Sequence, residues 1–262
     1  ILAVSLSMSA VILLLLIISP LLSQRYSAKW RYFVWLIVAL RLAIPFKVEM
    51  PKAPVNIVVP NQTVVFRQTG NMPIAIMDDS YIEKGSESAA SADYAPIITM
   101  QELLAVIWIT GAILFFLYHM ISYIIFKRKT KPYYIKFDAD VLENILQDMK
   151  IRNKPQLFVC GKISSPMMIG FVKPIILLPD IEYSTEELNV ILKHELTHYK
   201  RGDIWYKLLL MIANSVHWFN PLVYFMMKAA NRDLEYSCDD VVIKSSDISF
   251  RKKYWLTILK AM

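Results

Sequence analysis

The chain has 262 residues, 56% of them hydrophobic and only 19% charged. An ordinary soluble domain carries about 25% charged residues, so this composition points to an α-helical membrane protein with the lipid bilayer as partner. The net charge of +7 is read as basic cytoplasmic loops and not as a nucleic-acid surface; no direct nucleic-acid binding is expected. Two cysteines, Cys160 and Cys238, exclude a disulfide framework and a cysteine-built zinc site.

The first predicted element is an uncharged run, 1–22, long enough to cross a bilayer. A cleaved signal peptide is the competing reading, but its apolar core would be shorter and would follow basic residues. The basic stretch with Arg25, Lys29 and Arg31 comes next, and then a second apolar run from Trp30 to Phe46. Residues 1–46 are thus two transmembrane helices joined by a short basic loop. Segment 47–101 is polar and acidic and is expected as an extracellular loop, with a hairpin in VNIVVPNQTVVFRQT. A third span is expected over 102–126, closed by the basic KRKTK. Basic loops stay inside, so the N-terminus lies outside and residues 127–262 lie on the cytoplasmic side. The chain starts at Ile1 and stops inside a helical pattern, so it is expected to be a fragment with residues missing at both ends.

Segment 133–183 reads as mixed α/β. It has a helix over Asp140–Met149, a strand in 155–160, and two strands around a Gly170–Pro174 turn within 165–179. A helix follows, capped by Ser184 with Glu187 as its capping-box partner, reaching about Lys200 and stopped by Gly202. On it lies His194-Glu195-Leu196-Thr197-His198. Residues four apart share a helix face, so both imidazoles can bind one Zn2+ while Glu195 serves as general base.

Catalytic zinc needs a third protein ligand. Asp203 is too close in sequence. The metzincin pattern fails, because Arg201 and Ile204 stand where it needs Gly and His. His217 sits among aromatics and reads as a packing or interfacial histidine. Glu235 is the preferred ligand, with Asp239 on the same face accepting the N–H of a zinc histidine. Between the two ligand helices lies the apolar stretch 208–227. As a simple span it would carry Glu235 across the hydrocarbon, about 30 Å from the histidines. Asn220-Pro221 therefore predicts a helical hairpin, 204–218 and 221–243, lying in or against the inner leaflet.

Taken in order, SPMMIGFVKPIILLP, HELTHYKRGD, HWFNPLVY and RDLEYSCDD resemble the zinc metallopeptidase domain of the BlaR/MecR-type β-lactam sensor-transducers and related antirepressor membrane peptidases. The spacing of Glu235 and Asp239 is also similar to that in prenyl-protein and heat-shock membrane peptidases. The resemblance implies a small α/β, gluzincin-like cytosolic domain, with zinc on His194, His198 and Glu235. It also implies a multi-pass protein of a bacterial cell membrane. An extracellular signal would be transduced by cytosolic proteolysis of a protein substrate, a DNA-binding repressor or the chain itself. Ser249 to Lys252 has the spacing of a penicillin-binding nucleophile but lies in the wrong compartment, so it is read as coincidence. Arg232 and His217 are the candidates for an oxyanion donor. Two rival readings remain. One is a non-catalytic signalling adaptor with a structural or vestigial zinc site, against which the retained Glu195 argues. The other is a transporter using Arg41 and His119.

Overall fold

The structure is a computed structural model and describes residues 2–25, 27–44, 99–138, 140–244 and 247–261. Most of the expected extracellular loop, with its hairpin, lies outside the described residues. The described elements are mainly helical: α1 (Leu2–Arg25), α2 (Ala28–Ala43), α3 (Met100–Thr130), α4 (Asp140–Asp148), α5 (Thr185–Arg201), α6 (Asp203–Val216), α7 (Pro221–Ile243) and α8 (Ile248–Ala261). Strands β1 (Ile135–Lys136), β2 (Gln156–Val159), β3 (Met167–Ile169) and β4 (Ile175–Leu178) form one small sheet.

Among the described residues, one helix is long and apolar enough to cross a membrane, the stretch Met100–Tyr133 that begins as α3. It starts with a Thr99–Glu102 capping box and ends on Lys127, Arg128 and Lys129, each charge matching the dipole at its end. Apolar side chains project all round it, Leu103, Ile107, Leu114 and Ile121 among them being exposed. A soluble helix shows one apolar face, whereas one that is apolar all round is made for lipid or deep burial.

The hairpin expected around Asn220-Pro221 is present. The Asn220 side chain caps α7, accepting the Leu222 amide at 3.0 Å, and Pro221 takes the first helical position, where its missing N–H costs nothing. The two arms pack with α1 and α2 around one apolar core, including Ile12, Trp35, Leu42, Tyr206, Leu210, Met226 and Leu234. Residues 203–243 are thus packed with the first two helices, not only with the domain expected to start at 127.

The hairpin packs along α1, α2 and α3. At its tip, Asn220 donates to Ser5 and Ser9 of α1, and His217 Nε2 lies 3.3 Å from the Leu42 carbonyl at the end of α2. Trp108 of α3 donates to the Val216 carbonyl at 2.8 Å, while Trp218 donates back to the Trp108 carbonyl. At the opposite end of α2, Arg31 pairs with Asp233 at 3.0 Å. From Asn220 to Glu235, α7 runs for about 22 Å, so its polar tip finds partners near the far ends of the three N-terminal helices. This also accounts for His217, which is fully buried and serves the tip.

Gly111 lets Trp218 lie against α3. A Cβ there would stand 2.5 Å from the indole ring. Gly111→Leu is therefore expected to lower the thermal midpoint in detergent, by overpacking worth about 1–3 kcal/mol. Gly161→Ala should leave it unmoved, because its added methyl meets nothing nearer than 3.7 Å.

The sheet has the order β1-β2-β4-β3, with β2 parallel to β4 and the outer pairs antiparallel. Its inner face joins α4 and α5 in a second core of Leu142, Ile145, Ile176, Leu178, Leu192 and Leu196. β3 forms one edge. The turn leaving it needs Gly170 at φ +100°, and the Gly170 amide donates to the Tyr123 hydroxyl of α3 at 2.9 Å.

Candidate metal centre

α5 begins as its sequence dictates. Ser184 accepts the Glu187 amide, and the Glu187 carboxylate accepts the Ser184 amide. The apolar side of α5 buries Leu188, Ile191, Leu192 and Leu196, and this burial fixes the rotation of the helix. His194, Glu195 and His198 are consequently held at 8%, 8% and 7% exposure, at the wall of a cleft instead of in open solvent.

Gly202 ends α5 in the left-handed conformation at φ +70°, which favours glycine because it has no Cβ. α6 starts at the next residue. Its first side chain, Asp203, therefore swings back onto α5, where Nδ1–H of His198 donates to Asp203 Oδ2 at 2.7 Å. α7, returning from the hairpin, brings Glu235 to the other side of the ring. Glu235 Oε2 stands 3.0 Å from His198 Nε2 and 3.6 Å from His194 Nε2, and the two Nε2 atoms are 3.1 Å apart. Its second oxygen, Oε1, accepts from Lys207 at 3.2 Å.

These three atoms form a triangle suited to a zinc ion. Ligands about 2.0–2.1 Å from a tetrahedral centre stand about 3.3 Å apart, close to the three observed separations. The other ring nitrogens are engaged from behind, His198 Nδ1 by Asp203 and His194 Nδ1 by a group from α7 and α8. In each neutral ring this leaves the Nε2 lone pair facing the triangle. Burial disfavours charge on His198, but its contacts with Asp203, Cys238 and Glu235 prevail and lift its pKa to about 11. The same balance, with Asp239 the strongest partner, raises that of His194. A metal ion held here would compete with protons for these rings, so its affinity would rise with pH.

Asp239 Oδ1 stands 3.3 Å from His194 Nδ1. Three participants were not foreseen. Asp203 was set aside as a ligand, yet it orients His198. Tyr254 of α8 is fully buried, and its hydroxyl stands 2.7 Å from His194 Nδ1. Cys238, absent from the expected ligand set, is the third. It is buried one turn of α7 beyond Glu235 and forms a compact group with the two histidines, their potential ligand atoms all within 4.8 Å. Its sulfur stands 3.9 Å from His194 Nδ1 and 3.6 Å from the His194 carbonyl, and it also contacts His198. Sequence spacing missed it because a lone cysteine three residues after a glutamate carries no marker of its own.

The oxyanion candidates do not reach the site. His217 is at the hairpin tip, and Arg232 faces a separate cleft beside Leu16, Pro20 and Phe225. The cation that does line the metal cleft is Lys207. That cleft, of about 260 Å³, is walled by Ser165–Met168 from β3 and the approach to it, by α5, and by Ile258 of α8.

Two buried helical histidines, with a glutamate beside them and a carboxylate brought near by another helix, form a cluster that could hold a metal ion. The chain belongs to the BlaR1 peptidase M56 family, whose model matches residues 1–262. It is 38% identical over 116 residues to the Regulatory protein BlaR1 of Bacillus licheniformis, a match covering 44% of this chain and 19% of that protein. It is 24% identical over 240 residues to the Methicillin resistance mecR1 protein of Staphylococcus aureus, covering 87% of this chain and 40% of that protein, and equally to that of Staphylococcus epidermidis. The chain thus spans less than half the length of these relatives.

Proposed function

We propose that the chain is the peptidase part of a membrane-embedded signal transducer. An extracellular stimulus would switch on zinc-dependent proteolysis at the cytoplasmic face and lead to loss of a transcriptional repressor. The convergence of His194 Nε2, His198 Nε2 and Glu235 Oε2 carries this reading. α1, α2 and α3 are its membrane helices, with the N-terminus outside. The basic end of α3 and the Arg31 end of α2 lie on the cytoplasmic side, together with the metal cleft. The names of the relatives, a regulator and a resistance protein, support a role in antibiotic-resistance signalling.

His194, His198 and Glu235 hold the zinc, with Asp203 and Asp239 fixing the rings. When bound, the ion polarises a peptide carbonyl and acidifies water. Glu195 takes the proton of the attacking water and passes it to the leaving amide nitrogen. Lys207, beside Glu235, supplies positive charge in the cleft where the tetrahedral oxyanion develops. β3 presents a sheet edge to the cleft, and an extended substrate adds to it as a further strand, the backbone pairing being independent of its sequence.

The ligand set is tested by metal analysis of the purified chain. Wild-type protein should hold one zinc, and Glu235→Ala should lose it. Cys238→Ser should keep it, with affinity lowered by no more than about ten- to a hundredfold, the range for a group outside the ligand shell. Zinc retained in Glu235→Ala and lost in Cys238→Ser would transfer the third ligand to the thiolate and sink the present assignment.

A further inference from the structure

We propose that Tyr254 is a positioning residue for the metal centre: its hydroxyl, delivered by α8, fixes the His194 ring by bridging Nδ1 to Asp239. This rests on the metal-centre reading above. The hydroxyl is 2.7 Å from His194 Nδ1 and 2.5 Å from Asp239 Oδ1. Asp239 itself reaches Nδ1 only at 3.3 Å, longer than the 2.7–2.9 Å usual for a charge-assisted N–H···O bond. The hydroxyl is therefore the nearer partner of the ring.

A hydroxyl has one proton to give, and the carboxylate can only accept. The directions follow: Nδ1–H of His194 donates to Tyr254, and Tyr254 donates to Asp239. This order places the ring proton on Nδ1 and keeps Nε2 as an acceptor, the state a metal requires. The centre is thus supported asymmetrically, His198 by a direct carboxylate from α6 and His194 by a hydroxyl interposed from α8.

α8 is seated for this task. Tyr254 and Ile258 pack with Val190 of α5, Lys253 pairs with Glu186 in the first turn of α5, and Lys193 lies over the Phe250 ring. Ile258, one turn beyond Tyr254, lines the metal cleft. One helix therefore supplies a wall for the substrate and the group that holds a metal-binding ring.

Tyr254→Phe removes the hydroxyl and keeps the buried ring. In the full chain in detergent, its zinc affinity, measured against a competing chelator, should fall about ten- to a hundredfold. The visible absorption of the cobalt-substituted protein should change, while the thermal midpoint of the metal-free form stays close to wild type. Asp239→Asn should weaken zinc similarly, and the double variant should be no weaker than the weaker single one, because the two groups act as one bridge. Wild-type affinity and cobalt spectrum in Tyr254→Phe, or additive losses in the double variant, would overturn the proposal. His194→Ala separates the two levels. If it loses zinc while Tyr254→Phe does not, only the role of Tyr254 falls; if it too keeps zinc, the metal-centre reading falls and this inference with it.

Discussion

Glu195→Gln will retain the metal and lose proteolysis, by about two to four orders of magnitude in rate, the usual contribution of a general base. Glu195 lies between the two histidines on α5, lines the cleft and is not one of the three converging donors. The amide is isosteric and a comparable helix former, so neither the ring geometry nor the helix should change. It is also neutral. Burial pushes the Glu195 carboxyl above its usual pKa, with the His194 and His198 charges opposing, and this marks a site where a charge is held at some expense to stability. The variant should therefore melt at or above the wild-type temperature, the pattern expected when an active-site group is kept for function. The measurements are zinc content, thermal midpoint and hydrolysis of an unstructured protein substrate. Undiminished hydrolysis would show that another group moves the proton.

The second large effect is one of stability. Arg31 and Asp233 pair at 3.0 Å with side chains only 8% and 1% exposed, and the indole of Trp35 donates to the other carboxylate oxygen at 2.8 Å. Removing one partner of a buried pair costs about 3–5 kcal/mol, because a charge is left where water cannot reach it. Asp233→Ala should lose that amount in denaturant titrations in detergent. Asp233→Asn, which can still accept from Trp35, should lose less. The paired replacement Arg31→Met with Asp233→Leu should recover most of the loss, since apolar pairs often substitute for buried ions without penalty. Asp233 precedes Glu235 by two positions on α7, so Asp233→Ala should also weaken zinc binding. A loss of stability with metal affinity unchanged would show that the pair holds the helices together without setting the reach of Glu235.

Local signals were enough to read much of the site-bearing region. The capping box at Ser184, the glycine stop at Gly202 and the Asn220-Pro221 break act within a few residues of themselves, and each appears as read. The need to return Glu235 to the histidines also predicted the hairpin. How far its tip reaches along α1, α2 and α3 was not legible, since it depends on which helix ends offer partners to Asn220, His217 and Trp218. α2 is shorter than its apolar run, ending at Ala43, and β1 is too short at two residues to show an alternating pattern. Asp203 and Tyr254 were missed for opposite reasons. Asp203 sits so near His198 that it reads as an end-of-helix charge, and only the Gly202 turn reverses it onto the ring. Tyr254 is 60 residues from His194, in a helix whose packing on α5 has no marker in the sequence.

Both imidazoles are gripped from behind, by Asp203 and by the Tyr254–Asp239 bridge, and both are nearly inaccessible to water. The torsional entropy of these side chains is therefore surrendered when the polypeptide folds, not when an ion arrives. A metal ion captured here would meet a preorganised cage, and little of its coordination energy would go into freezing rotors.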